Sequence, residues 1–140
     1  MDTLKNNLNL YFGQKAPALP EAARSFIVAV APWLVIFSVI IALPDLLAVL
    51  GMGSIFAPSG YSIHYSGILL ISVAISLFGA FFNLMAISGL FKRSLAGWNF
   101  VFYSSLFYVL SSLVAGSIVG ALLGFLIDMY LLFQVRSYYH

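Results

Sequence analysis

One acidic residue stands alone inside a long apolar stretch of the chain. Between residues 99 and 134 the only Asp, Glu, Lys or Arg is Asp128. An ionised carboxylate at the centre of a membrane span costs about 2.5–3.5 kcal/mol, so we expect this group to face the bundle interior, to be hydrogen-bonded or to be protonated. Two interpretations follow. Asp128 either forms a hydrogen-bonded clasp that fixes helix order, or binds a proton or cation in a transport path.

Other polar residues are predicted to lie at the depth of Asp128. Asp128 precedes Arg136 by eight residues and Asn83 precedes Lys92 by nine, so both lie roughly 12 Å inward from a basic residue. A helical hairpin that turns at Gly116 places Asp128 opposite Ser104 and Gly124 opposite Tyr108. In the first span, Pro32 leaves the Val28 carbonyl without its usual donor at a similar level. The candidate intramembrane polar site comprises Asp128, Asn83, Ser104, Ser105 and Tyr108.

Three glycines follow one another at intervals of four, at Gly116, Gly120 and Gly124. Small residues at this spacing allow two helix backbones to approach closely in a membrane. With Gly116 at the turn, the pattern predicts that Gly120 and Gly124 pack the fourth span against the third. A homodimer face is the alternative.

Residues that commonly perform catalysis or bind metal are scarce. The chain has no Cys, and its two histidines, His64 and His140, have no partner at ligand spacing. No carboxylates are paired, no His lies in a span beside a Ser nucleophile, and no Gly-rich loop follows a strand. The sequence therefore predicts a protein that is not an enzyme, with no catalytic residue, no cofactor and no metal.

The composition excludes most classes of water-soluble protein. Of 140 residues, 63% are apolar and 7% are Asp, Glu, Lys or Arg, whereas soluble domains average about 25% charged residues. Too few charges are present to cover a globule in water, to solvate a disordered chain or to bind nucleic acid. The prediction is an all-α, polytopic integral membrane protein whose surrounding partner is the lipid bilayer.

Four segments have the apolar length that a spanning helix needs. We predict spans at about 24–43, 67–91, 98–114 and 118–135, forming one transmembrane domain over 21–140. This count places all six Lys and Arg residues on one side, which predicts cytoplasmic N- and C-termini in the cell inner (plasma) membrane. A three-span topology would separate Arg136 from Lys92 and Arg93.

Two short interfacial helices are predicted outside the spans. Residues 1–20 form a cytoplasmic segment, either a flexible tail or an amphipathic helix that places Lys5 and Lys15 near anionic lipid. After the first span, Pro44 followed by Asp45 favours the first turn of a new helix, from Leu46 to Ile55.

Three stretches of sequence suggest a relationship. They are YLLFQVRSYY at 130–139, KRSLAGW at 92–98 and APW at 31–33. The chain resembles small uncharacterised prokaryotic integral membrane proteins of four predicted spans. The resemblance implies a four-span fold and supports the inner-membrane assignment, but it implies no activity.

Two functions remain open from the sequence. The first is a non-enzymatic scaffold or an accessory, interaction subunit, acting alone or in a larger membrane complex. The alternative is a small transporter or channel, assembled as a homo-oligomer, that uses Asp128 as its proton or cation site.

Overall fold

The computed structural model describes residues 2–50 and 67–140, and within these residues the chain is helical throughout apart from short connections. Helix α1 (Asp2–Leu8) continues into a π-helical segment (Asn9–Lys15). The longer helices are α2 (Glu21–Val49), α3 (Gly67–Phe91), α4 (Leu95–Val114) and α5 (Ile118–Val135), and a 3-10 turn (Arg136–Tyr138) follows α5.

Within the described ranges, four helices are long and apolar enough to cross a membrane, namely α2 to α5. The predicted all-α fold with four such helices is confirmed. Helices α3 and α5 have the predicted bounds, and α4 begins slightly earlier, at Leu95, because the Ser94 hydroxyl accepts from the Gly97 N–H and caps the helix.

The predicted break after the first span is wrong. Helix α2 passes through Pro44 to Val49, and the Leu50 N–H still bonds to the Leu46 carbonyl at 3.1 Å. Pro44 removes only its own N–H from the helix, and the backbone bonds beyond it still form. Residues 46–49 therefore do not begin a separate helix, and residues 51–55 of the predicted one lie outside the described residues.

The N-terminal segment packs against α4 and α5, and this corrects the predicted role of Lys5. The Lys5 side chain is buried. Its Nζ donates to Asn99 Oδ1 at 2.6 Å and lies 5.0 Å from the centre of the Tyr103 ring. A lysine held in this way does not reach lipid headgroups. Lys15 is exposed and lies over the Tyr11 ring.

One glutamine side chain holds the connection between this segment and α2. Gln134 is buried in the last turn of α5, where its Nε2 donates to the Phe12 carbonyl at 3.0 Å. Its Oε1 accepts from the Leu19 N–H at 3.2 Å. The amide thus pairs one backbone carbonyl of the π-helical segment and one backbone N–H of the connection that follows it.

The spanning helices pack unequally around a core near one end of the bundle. We call this the basic end, because α3 turns into α4 there through Lys92 and Arg93. Helix α3 packs most extensively on α4, whereas α2 and α5 touch over a short length only. Trp98, Phe102 and Met129 are the largest fully buried side chains, and the Trp98 ring stacks on Phe102 at 5.7 Å between centres.

The glycines of the predicted pattern do not bring α5 close to α4. Gly116 has φ +82° and forms the turn between α4 and α5, as expected. A methyl group on Gly120 would meet only Ser117 of the same turn, and one on Gly124 would meet nothing within 4 Å. The predicted packing of Gly120 and Gly124 against α4 is therefore wrong.

The close backbone approach instead joins α3 to α4 at the basic end. A Cβ built on Gly97 would lie 2.5 Å from the backbone C of Gly89, and one built on Gly89 would lie 2.6 Å from the Gly97 Cα. Only glycine fits both positions. The short turn between the two helices brings these residues together.

Candidate functional site

The four spanning helices line a partly open cavity of about 270 Å³. It forms because α2 and α5 contact each other over a short length only and leave a seam of unfilled space between them, whereas α3 and α4 pack closely together. Aliphatic and aromatic side chains line most of it. Its lining residues with a hydroxyl, amide or carboxyl group are Ser38, Asn83, Ser104, Ser105, Tyr108, Asp128 and Tyr139.

The carboxylate of Asp128 lies between α5 and α4. The Ser105 hydroxyl donates to Asp128 Oδ2 at 2.8 Å, and Ser105 is buried while Asp128 is partly buried. Among the residues the structure describes, no other side chain donates to this carboxylate. The cavity lining includes no Lys, Arg or His. Asp128 is therefore a cavity-lining carboxyl group with one side-chain hydrogen bond among the described residues.

A second polar cluster joins three helices beside it. Asn83 of α3 is buried, and its Oδ1 accepts from the Ser104 hydroxyl of α4 at 2.6 Å. Its Nδ2 donates to Ser38 Oγ of α2 at 3.0 Å and to the Tyr108 hydroxyl at 3.4 Å. These three hydrogen bonds join Asn83 of α3 to α2 and α4 and hold the facing surfaces of the three helices together.

All five residues of the predicted polar site line this one cavity, but their pairing differs from the depth count. Asp128 bonds to Ser105 and not to Ser104, because the hairpin register differs by one residue from the one assumed. Ser104 instead bonds to Asn83. The distinction matters, since the two serines lie on different faces of α4.

The contribution of α2 was placed wrongly. Depth counting from Arg24 predicted the Val28 carbonyl at this level, but Ser38 occupies it. The Trp33 ring packs edge-on against Phe91 at the end of α3, 5.9 Å between centres, and this contact sets the level of α2. The hydroxyl of Ser38 in the middle of the first span is visible in the sequence, but placing it beside Asn83 requires the correct register of α2 against α3.

Tyr139 and His140 lie at the basic end of the cavity. Tyr139 lines the cavity and is buried. The backbone of His140 pairs with the turn before α4, where its N–H donates to the Arg93 carbonyl at 3.0 Å and its carbonyl accepts from the Leu95 N–H at 3.2 Å. Burial raises the pKa of the Tyr139 hydroxyl, and the nearby Arg93 charge acts in the opposite direction.

Residues 2–50 and 67–140 contain no group of three or more His, Cys, Asp or Glu side chains that could hold a metal ion. His64 lies outside the described residues. What the arrangement offers chemically is one carboxylate, several hydroxyls and an apolar wall.

The fold and the cavity define a class: an all-helical chain with four helices long and apolar enough to cross a membrane and, between them, a largely apolar cavity with a few polar groups. Comparisons of the chain with protein-family models, with curated proteins and with solved structures find no match. The resemblance to small prokaryotic four-span proteins stays a prediction.

Proposed function

We propose that this chain is a non-enzymatic subunit of a small transporter or channel, in which Asp128 binds the transported proton or cation. The proposal rests on one observation, that Asp128 faces a cavity of about 270 Å³ and not a closed helix contact. A purely structural clasp would place both carboxylate oxygens against donors and would leave no space beside them. Here Ser105 is the one side chain among the described residues that donates to the carboxylate, and Asp128 lines the cavity.

The electrostatic balance supports a cationic ligand. Two opposite unit charges 4 Å apart attract by about 4 kcal/mol at an effective dielectric constant of 20. This is comparable to the cost of about 2.5–3.5 kcal/mol for an ionised carboxylate within a span. A cation beside Asp128 would therefore offset the cost of keeping the carboxylate in the bundle, and no basic side chain lines the cavity to do so.

A complete path across the membrane is proposed to need more than one copy of the chain. The cavity extends from the level of Asp128 to Tyr139 at the basic end. In the opposite half, the Ser111 hydroxyl donates to the Ser72 carbonyl at 2.7 Å, which closes α3 against α4. A homo-oligomer supplies a second surface for the remaining path.

In the proposed orientation the basic end lies on the cytoplasmic side of the inner membrane, since Lys92, Arg93 and Arg136 lie at that end. The scaffold or accessory-subunit role stays a prediction from composition, because no contact in the structure favours it.

Flux through reconstituted liposomes tests the proposal. Asp128→Asn keeps the side-chain size and an acceptor for Ser105 but removes the charge, so it should abolish uptake of protons and monovalent cations. Glu21→Gln makes the same chemical change at an exposed residue in the first turn of α2 and should leave uptake unaltered. Helix content and elution volume in detergent check that both variants fold. Equal uptake by the parent protein and Asp128→Asn would refute the proposal.

A further inference from the structure

We propose that the ligand of this cavity is a small organic ammonium ion, with a charged head at Asp128 and an apolar body against the walls. The inference rests on the proposed cation site and adds its substrate class. Three features of the cavity support it: the supply of oxygen ligands, the nature of the walls and the volume.

The oxygen ligands are too few for a metal cation stripped of its water. Hard cations such as Ca²⁺ take six to eight oxygen ligands. In this cavity Asn83 Oδ1 already accepts from Ser104, and Asp128 Oδ2 already accepts from Ser105. Ser38 is engaged both as acceptor from Asn83 and as donor to the Val35 carbonyl. The one carboxyl group and the spare lone pairs of hydroxyls suit the few N–H donors of an ammonium head.

The walls suit an apolar body. Facing side chains of α2 and α5 line the cavity beside Asp128, and they are aliphatic: Ile27, Leu34 and Val35 on one side, Leu131 and Leu132 on the other. A hydrated inorganic ion gains nothing from such a surface, whereas a hydrocarbon or aromatic group leaves water to contact it. Small-molecule sites commonly combine apolar walls with a few polar groups that fix orientation.

The volume indicates the size of the group that fits inside the cavity. A cavity of 150 Å³ lined by apolar residues accepts benzene, which has six heavy atoms. By proportion, a cavity of about 270 Å³ accepts a body of roughly eleven heavy atoms. The 2-phenylethylammonium ion falls just below this size, and tetraphenylphosphonium lies far above it.

Calorimetric titration of the detergent-solubilised protein tests the charge requirement. The probes are 2-phenylethylammonium and 2-phenylethanol, which have the same shape but differ in charge. We expect the ammonium ion to bind at least about 100-fold more tightly, because the attraction to a carboxylate at close range is worth that factor or more. Asp128→Asn should remove the preference, and Glu21→Gln should keep it.

A filling variant and a large cation test the location and the size limit. Ala31 lines the cavity from α2, and Ala31→Val adds volume there without altering charge. This substitution should weaken 2-phenylethylammonium binding by about tenfold or more, and tetraphenylphosphonium should not bind to the parent protein. Binding unaltered by Ala31→Val would place the ligand elsewhere and overturn the inference.

The outcomes separate the substrate class from the proposed function. If neither organic probe binds, or both bind equally, while Asp128-dependent flux of protons or inorganic cations persists, the ammonium class is wrong and the transport function stands. If binding is charge-selective and depends on Asp128 but no ion or amine crosses the liposome membrane, transport is wrong and the chain is a binding protein. Tight binding of tetraphenylphosphonium would refute the size limit.

Discussion

Replacing Gly97 by alanine tests the closest contact between two spanning helices. The added Cβ would lie 2.5 Å from the backbone C of Gly89 and 2.6 Å from the backbone N of Leu90. Ordinary contacts of a Cβ begin near 3.4 Å, so α3 and α4 must separate by about 0.9 Å, and backbone atoms cannot rotate away as a side chain could. Overpacking costs about 1–3 kcal/mol, and this site lies at the upper end. Alanine recovers about 1 kcal/mol of helix propensity, which leaves a net loss of about 2 kcal/mol.

The matched control is Gly124→Ala. A Cβ on Gly124 meets nothing within 4 Å, so the helix-propensity gain of about 0.5–1 kcal/mol should appear alone. The two substitutions are chemically identical, and their unfolding free energies should differ by about 3 kcal/mol.

Reversible unfolding in mixed micelles, followed by helix content as the denaturing detergent is raised, measures both free energies. If Gly97→Ala were as stable as Gly124→Ala, the close approach of α3 and α4 would be wrong. If Gly124→Ala lost as much stability as Gly97→Ala, the glycine pattern of α5 would pack after all, as the sequence predicted.

Three further outcomes are expected. Gln134→Leu leaves buried backbone groups of the N-terminal connection unpaired, at about 1–3 kcal/mol each, so trypsin should cleave within residues 2–20 faster than in the parent; unchanged cleavage contradicts this. In double-mutant cycles, Asp128→Leu should couple to Ser105→Ala by about 0.6–2 kcal/mol but add independently to Ser104→Ala. Coupling to Ser104→Ala and not to Ser105→Ala would instead support the pairing predicted from the sequence. Because burial raises its folded-state pKa above the usual 10.0, Tyr139 contributes stability that is fully present below about pH 10 and lost as the pH rises through the folded-state pKa. Alkaline titration of unfolding should show this loss in the parent and less of it in Tyr139→Phe, and identical slopes would exclude it.

The sequence predicted the parts of the bundle that short turns control. Hydropathy located α3 and α5 with their observed bounds, because a span needs a fixed apolar length. Helices α3, α4 and α5 are joined by turns of a few residues, so counting from the turn brought Asn83, Ser104, Ser105 and Asp128 into one region. A register difference of one residue then decided which serine bonds to the carboxylate.

The same counting failed for α2, where no short turn controls the register. Residues 50–66 separate α2 from α3, so tertiary packing determines which residues of α2 lie beside the polar site. Trp33 packs against Phe91, and Ser38, not Val28, lies beside Asn83. Pro44 did not end the helix, because it removes only its own N–H and the backbone bonds beyond it still form.

The glycine pattern failed for a related reason. Spacing of four identifies one face of a helix but not the neighbour that covers it. The glycines that do allow a close approach, Gly89 and Gly97, belong to different helices, so they do not form a four-residue repeat within one helix. Only the turn between α3 and α4 brings them opposite one another.

The cavity is the feature that sequence patterns could least reveal, since it is an unfilled volume and depends on how all four helices pack. The glycine contact holds α3 close to α4, and the stack of Trp98 on Phe102 with Met129 fills the space between α4 and α5 at the basic end. Helix α2 is attached mainly to α3. The one remaining seam, between α2 and α5, is therefore where the volume is left, and Asp128 lies on the α5 side of it. A ligand that contacts both sides of this seam would supply the packing that the chain itself does not provide there.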